Sequence, residues 1–349
     1  MSVYYQRRSL AEDKKSKKVI SDVLAIIKTA KQLGMEIERI PYTELVRLNY
    51  QGQVEYLYHR TPPHTTATAH ICCRNKTITR NLLIRAGLSV PKGYLLKDSD
   101  SREYQLKVFN SLKKPLVVKA IDGSEAIAVT TNIKSQKKYL DALKESFAYD
   151  RAEEKRALVE RMFNGKEYRI LANRERVISI IERLPANVVG NGKHTIKELI
   201  KIKNQDPRRG SKKDDKALFK IRIDQKMKDF LAKSKLGLDS VVKNKEQVFL
   251  RAHSTLNISL GGDTVDITDK VHSSVKKIAI RAIQAIPGLT WTGIDYLSKD
   301  IYALQKDNDY AILELNSSPR LIWQAQPYAG NKQPVLQEFL KSIFPNLKN

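Results

Sequence analysis

The sequence predicts a mixed α/β (α+β) protein, and three observations lead to that class. Segments with helical spacing alternate with short apolar runs of strand length. The chain has 349 residues, enough for two or three structural units around substantial cores. Hydrophobic residues make up 41% of it, an ordinary share for a globular protein.

Taken in order, residues 19–33 place Val19, Val23, Ile26, Ile27, Ala30 and Leu33 at helical spacing, and Gly34 supplies a stop. Residues 35–40 alternate and predict a strand, with another over 54–58. Together these predict a small amino-terminal α/β unit, residues 1–74. Asn75 begins a helix that ends at Ala86-Gly87. A strand is predicted over 90–96, a helix over 104–112 and a buried strand over 115–119. A turn and returning strand occupy 121–129, followed by a helix over 135–147 and a strand over 157–163. Asn164-Gly165 is a hairpin signal into 167–171. The polar residues 204–216 predict a mobile loop. A buried strand from Val248 ends in Arg251, and a helix over 273–286 precedes two apolar runs, 292–297 and 311–316. No internal repeat or low-complexity segment is present.

Net charge is +25, from 63 Lys and Arg against 38 Asp and Glu. Such a surface attracts phosphates and carboxylates. The basic residues are dispersed in short clusters, without the aromatic interleaving of single-strand binders or any zinc-finger or RNA-recognition spacing. No specific nucleic-acid partner is therefore expected. No apolar stretch approaches the roughly 20 residues that span a bilayer, and the first residues lack a signal-peptide core. The only two cysteines, Cys72 and Cys73, are adjacent, which excludes a disulfide scaffold. They are expected as small buried hydrophobes in a cytoplasmic protein without a membrane partner.

The most telling stretch is Ala311-Ile312-Leu313-Glu314-Leu315-Asn316-Ser317-Ser318-Pro319. In a strand, side chains i and i+2 share a face, so Glu314 and Asn316 present hard oxygens side by side. Asp295, on Gly293-Ile294-Asp295, offers a third. Read singly, each carboxylate is a strand-end group bonded to backbone. The set together points to magnesium, which takes one or two carboxylates and leaves positions for water and phosphate. Lys119 ends an apolar strand and Lys76 starts a helix, where each can neutralise phosphate charge; surface lysines are the plain alternative. Arg251 leads into a loop with Gly261-Gly262, whose amides can approach an oxyanion. A hairpin with a surface arginine fits that segment equally well. His253 lacks the partners of a catalytic triad, and neither a Walker loop nor a Rossmann glycine fingerprint occurs.

From Asn75 to Pro345 the chain resembles the ATP-grasp carboxylate–amine ligases, specifically the ligase portion of bifunctional glutathione synthetases and of cyanophycin synthetase. The motifs are ordered: Asn75-Lys76; Pro115-Leu116-Val117-Val118-Lys119; Val159-Glu160; Gly165-Lys166-Glu167-Tyr168-Arg169; Arg183-Leu184-Pro185-Ala186-Asn187-Val188-Val189-Gly190-Asn191-Gly192-Lys193-His194-Thr195-Ile196; Asn204, Asp206-Pro207 and Arg209-Gly210; Phe249-Leu250-Arg251; Asn257-Ile258-Ser259 with Gly261-Gly262; Gly293-Ile294-Asp295; and Glu314-Leu315-Asn316.

The resemblance implies an ATP-grasp fold, with the amino-terminal unit followed by a lid subdomain, residues 75–165, and a catalytic subdomain, residues 166–349. It implies ATP and Mg2+, or Mn2+ in its place, and small amino-acid or peptide substrates; a homo-oligomer is compatible with it. Lys76 and Lys119 would contact phosphates, Glu160 and Phe163 the adenine, and Glu167 the ribose. Asp295, Glu314 and Asn316 would hold the metal. Arg251, Asn257, Ser259, Gly261 and Gly262 would hold the reacting carboxylate, with Arg183 and Arg320 as further substrate contacts. The implied reaction is ADP-forming ligation of a carboxylate to an amine through an acyl phosphate. Glutathione synthesis is the alternative within enzymes, and a non-catalytic nucleotide- or anion-binding protein the alternative outside them. Three departures from the family stand out: a glycine-poor lid over 121–129, a longer loop before Asn257, and Ser317-Ser318 after Asn316.

Overall fold

A computed structural model describes residues 21–41, 43–121, 128–150, 152–211, 214, 216–252 and 258–347. The expected lid residues 122–127, together with His253 and Asn257, lie outside them. The chain divides into two compact units: the described parts of Met1–His64, Ile178–Asp269 and Ser318–Asn349 form one, and Thr65–Val177 with Lys270–Ser317 form the other.

In the first unit, α1 (Ser21–Gln32) buries Val23, Ile26, Ile27 and Ala30 as a stripe at helical spacing. An antiparallel meander of β1 (Glu36–Arg39), β2 (Leu45–Tyr50) and β3 (Gln53–Tyr58) follows. β2 was not among the expected elements.

The second unit begins with two consecutive helices, α2 (Ala67–Arg74) and α3 (Lys76–Arg85). Asn75 separates them: its backbone closes the first, and its Oδ1 accepts from the amides of Thr77 and Ile78 at 3.0 and 3.1 Å. Next come β4 (Gly93–Lys97), α4 (Arg102–Ser111), β5 (Leu116–Ala120), β6 (Val129–Ile133), α5 (Gln136–Tyr149) and β7 (Arg156–Arg161). The strands form an antiparallel sheet in the order β4-β7-β5-β6. Leu96, Val108, Phe109, Leu116, Val118, Tyr139 and Leu143 build its core with the two helices. Burying each large apolar side chain contributes about 1.5–3 kcal/mol.

β8 (Lys166–Asn173) then leads into the first unit's β9 (Val177–Leu184), β10 (Asn187–Val189), α6 (Ile196–Lys203), β11 (Arg209–Gly210), β12 (Leu218–Phe219), α7 (Gln225–Lys233), β13 (Gln247–Phe249) and β14 (Asp263–Asp266). Here β9 pairs with β14, β10 with β13 and β11 with β12. Ala186, Val188, Ile196, Ile200, Met227 and Leu250 are among the buried residues beneath α6 and α7. The second unit resumes with α8 (Ser273–Gln284), β15 (Trp291–Ser298) and β16 (Tyr310–Asn316), and β15 lies between β8 and β16. α9 (Ile322–Ala325) and α10 (Val335–Ile343) complete the first unit.

Two expectations are corrected. Asn164-Gly165 makes no hairpin, because β7 pairs with β4 and β5 whereas β8 pairs with β15. A two-residue hairpin of this kind needs left-handed backbone, and neither residue has positive φ. Gly165 is small for another reason: a Cβ there would lie 2.6 Å from the Ser298 carbonyl oxygen. The stretch 204–216 is not simply a solvated loop either. Arg209 is 3% exposed, Asn204 exchanges two hydrogen bonds with the Ile221 backbone, and Asp206 grips Arg208 with both oxygens. Among the described residues no helix is long and apolar enough to cross a membrane.

Candidate active site

Within the second unit, strand pairing assembles the carboxylates. Asp295 on β15 stands directly opposite Glu314 on β16 and directly opposite Arg169 on β8. Leu313 is an extra residue in the β15–β16 register, a bulge immediately beside the pair. Arg169 Nη1 donates to Asp295 Oδ1 at 2.7 Å. Asn316 donates through Nδ2 to Glu314 Oε1 at 3.1 Å, with the Gly293 carbonyl at 3.5 Å. Both nearby acceptors lie on the nitrogen side of the amide, which directs Asn316 Oδ1 away from them. Gly293 makes the arrangement feasible, because a Cβ there would sit 2.6–2.7 Å from the Arg169 guanidinium.

Burial, first, and then the adjacent Asp295 charge and a hydrogen bond shared with it push the Glu314 carboxyl above its ordinary range. Half-buried Glu314 and buried Asp295 thus stand side by side at a place where added positive charge is favourable. Three hard oxygens around that place fit a magnesium-like cation.

The same unit holds the candidate nucleotide contacts. Lys119 on β5 is 8% exposed and its Nζ is 2.7 Å from Glu160 Oε2 on β7. Arg80, one turn after Lys76 on α3, reaches Glu160 Oε1 at 3.2 Å. Gly93 leaves room for Glu160, whose Cγ would lie 2.8 Å from a Cβ there. Lys76 Nζ donates to the Ile121 carbonyl at 3.1 Å. Phe163 is half-buried beside Gly165, and Glu167 is half-buried on β8, opposite Leu297. Cys72 is buried, while half-buried Cys73 has its thiol pushed up to about 12, chiefly by burial and then by Cys72 and Glu314. An inert thiol follows.

The first unit holds the remaining candidates. Arg251 is 5% exposed; its Nη2 bonds Asp224 Oδ2 at 2.8 Å and the Arg222 carbonyl at 3.1 Å. Asp224 caps α7, and the arginine's hydrogen bond holds its carboxyl below the usual range. Ser259 is half-buried in a short 3-10 turn, Ile258–Leu260. Gly261 has φ +93° and its N–H donates to the Ile258 carbonyl at 3.0 Å, so this amide closes the turn instead of facing an oxyanion. At Gly262 a Cβ would lie 2.6 Å from the Leu184 carbonyl oxygen.

The neighbouring Asp263 is 2% exposed and accepts from Lys203 at 2.6 Å, from Asn187 at 2.9 Å and from Arg209. Arg183 on β9 pairs in register with Thr264. Arg320 is tied to α1, with Nη2 2.9 Å from Ser21 Oγ and Nε 3.4 Å from Asp22 Oδ2.

Sequence reasoning passed over Arg80, Arg169 and the Asp263 network. Arg80 carries a signal, its i+4 spacing from Lys76. Arg169 closes the Gly165-Lys166-Glu167-Tyr168-Arg169 motif, and its spacing assigns it no role. Its pairing with Asp295 depends on strand register, which spacing alone does not reveal.

Known proteins share the sequence pattern and fold of this chain. No protein-family model matches the chain. The glutathione biosynthesis bifunctional protein of Clostridium perfringens is 32% identical over 322 residues, covering 91% of this chain and 40% of that protein. Cyanophycin synthetase of Crocosphaera subtropica is 34% identical over 271 residues, covering 78% of this chain and 30% of that protein. The crystal structure of a bifunctional glutathione synthetase from Pasteurella multocida superposes with a TM-score of 0.76 at 27% identity, over 93% of this chain and 44% of the other. The chain thus spans less than half the length of these relatives. By sequence and by fold it is an ATP-grasp homologue of the ligase portion that they share.

Proposed function

We propose that the chain is an ATP-dependent, ADP-forming ligase that joins an amino-acid or peptide carboxylate to an amine. The observation that carries this reading is the convergence of Asp295, Glu314 and Asn316 at the paired ends of β15 and β16, with Arg169 bonded to Asp295. Asp295, Glu314 and Asn316 would hold Mg2+, or Mn2+, which supplies charge neutralisation on transferring phosphoryl oxygens.

In the proposed reaction a carboxylate oxygen of the acid attacks the γ-phosphorus of ATP and ADP departs. The amine then attacks the acyl carbon, loses a proton and expels phosphate. Positioning and electrostatics suffice for such transfer, so no protein nucleophile is required. Lys119, held by Glu160, and Lys76 would steady the phosphates. Phe163 and Glu160 would face the adenine, and Glu167 the ribose. Arg251, with Asn257 and Ser259, would orient the acid, and Arg183 would contact its outer part. We propose small-molecule substrates and a cytoplasmic setting on the same ground.

ADP release measured with Mg2+ against a panel of amino acids and dipeptides tests the reading. The panel includes γ-glutamylcysteine with glycine, the pair for glutathione synthesis. At least one acid–amine pair is expected to raise ADP release well above the rate with ATP alone. ATP binding without stimulation by any pair would favour a non-catalytic nucleotide-binding protein.

A further inference from the structure

Helix α2 was not expected from the sequence, and the proposed chemistry gives it no role. Its attachments are nonetheless specific. Its cap, Thr66, donates its backbone N–H to the Gly288 carbonyl at 3.1 Å. A Cβ on Gly288, at φ +70°, would strike Thr66 Oγ1, so only glycine lets the helix start so close to the turn before β15. Thr65 Oγ1 and Thr290 Oγ1 share a hydrogen bond of 2.7 Å at the same place. Midway along the helix, His70 Nδ1 and Ser317 Oγ share another of 2.7 Å. Ser317 is 7% exposed and follows Asn316 directly. On its other side the Asn316 carbonyl accepts from Thr292 Oγ1 at 3.1 Å. The helix ends at Asn75, the cap of the helix that Lys76 begins.

One rigid element thus joins the approach to β15, the exit of β16 and the residue before Lys76. Side chains that hold metal-binding groups in place act through fixed hydrogen bonds of this type. We propose that His70 is a positioning residue: its bond to Ser317 fixes the carboxy-terminal end of β16, and with it Glu314 and Asn316, for a divalent cation bound with nucleotide. The inference rests on the metal–nucleotide reading proposed above.

The test is Mn2+ binding to the full chain, followed by electron paramagnetic resonance with a non-hydrolysable ATP analogue present. Thermal unfolding is recorded alongside. His70→Leu and Ser317→Ala are each expected to weaken Mn2+ binding about tenfold, and the double variant no more than the worse single one. In His70→Asn, the amide occupies the Nδ1 position, and binding is expected to return to within about threefold of wild type (a margin set by ordinary context dependence of such bonds). Unchanged binding in His70→Leu or in Ser317→Ala overturns the proposal. So do additive losses in the double variant, or an equal loss of analogue affinity without Mn2+. If His70→Leu does not fold, Ser317→Ala and His70→Asn decide. A wild-type chain that binds no Mn2+ with the analogue would overturn the nucleotide reading itself, an outcome distinct from any of these.

Discussion

Glu314 is a half-buried carboxylate facing another carboxylate, and the upward push on its pKa shows that the site favours added positive charge. Its raised pKa means that the metal-free fold holds this proton more tightly than the unfolded chain does. The stability linked to it is fully present below the ordinary carboxylate value of 4.5 and is lost as pH rises through the raised folded value. Glu314→Gln removes the charge and keeps the shape. Without metal at pH 8, this variant is expected to unfold at a higher temperature than wild type, and the gap should close in acid. Added Mg2+ should raise the wild-type unfolding temperature but not that of the variant, while turnover falls on the order of 100-fold or more. Thermal scans with and without Mg2+ at two pH values check this. A metal-free variant no more stable than wild type at pH 8 would mean that repulsion from Asp295 is already offset by Arg169. The three oxygen residues were legible in the sequence because i, i+2 spacing on a strand fixes a shared face. The bonds of the Gly261 amide to Ile258 and of Arg320 to Ser21 were not legible, because such local bonds leave no pattern in spacing.

Strands of strong pattern were legible and short cross-linking elements were not. β5, β15 and β16 are apolar runs bounded by turn residues, and they emerged as expected. α2 was missed because its sequence, Ala67-Thr68-Ala69-His70-Ile71-Cys72-Cys73-Arg74, buries only Ala69 and Cys72 and carries little apolar periodicity. Side-chain bonds at its start and middle hold it instead. Asn164-Gly165 misled for the opposite reason: its composition fits a hairpin, but packing against Ser298 selects the glycine. Gly293 follows the same logic within β15. An alanine there would place its methyl 2.6–2.7 Å from the Arg169 guanidinium and force it off Asp295. Gly293→Ala is expected to cost about 1–3 kcal/mol in denaturant unfolding, the range for overpacking. It should also weaken Mn2+–nucleotide binding by more than that loss of stability alone would cause. Binding equal to wild type would show that Arg169 does not set the position of Asp295.

Across the whole molecule, the candidate residues sort by unit. The sequence named most of them but could not show this sorting, because the chain passes from one unit to the other several times and spacing is silent about which segments pack together. Lys76, Lys119, Glu160, Phe163, Glu167, Asp295, Glu314 and Asn316 fall in Thr65–Val177 and Lys270–Ser317, whereas Arg183, Arg251, Ser259, Gly261 and Gly262 fall in Ile178–Asp269. If the first group binds nucleotide, a non-hydrolysable ATP analogue with Mg2+ should slow amide hydrogen exchange in α3, β5, β7, β8, β15 and β16. The net charge of +25 makes salt the necessary control, since diffuse attraction of a polyanion fades as ionic strength rises whereas contacts in buried pockets are screened much less. At about 0.5 M salt, where the Debye length falls to about 4 Å, slowed exchange should persist on those strands. Protection that appears chiefly in α6 and α7, or that vanishes with salt, would assign the anion to the basic surface and remove the nucleotide from Asp295 and Glu314.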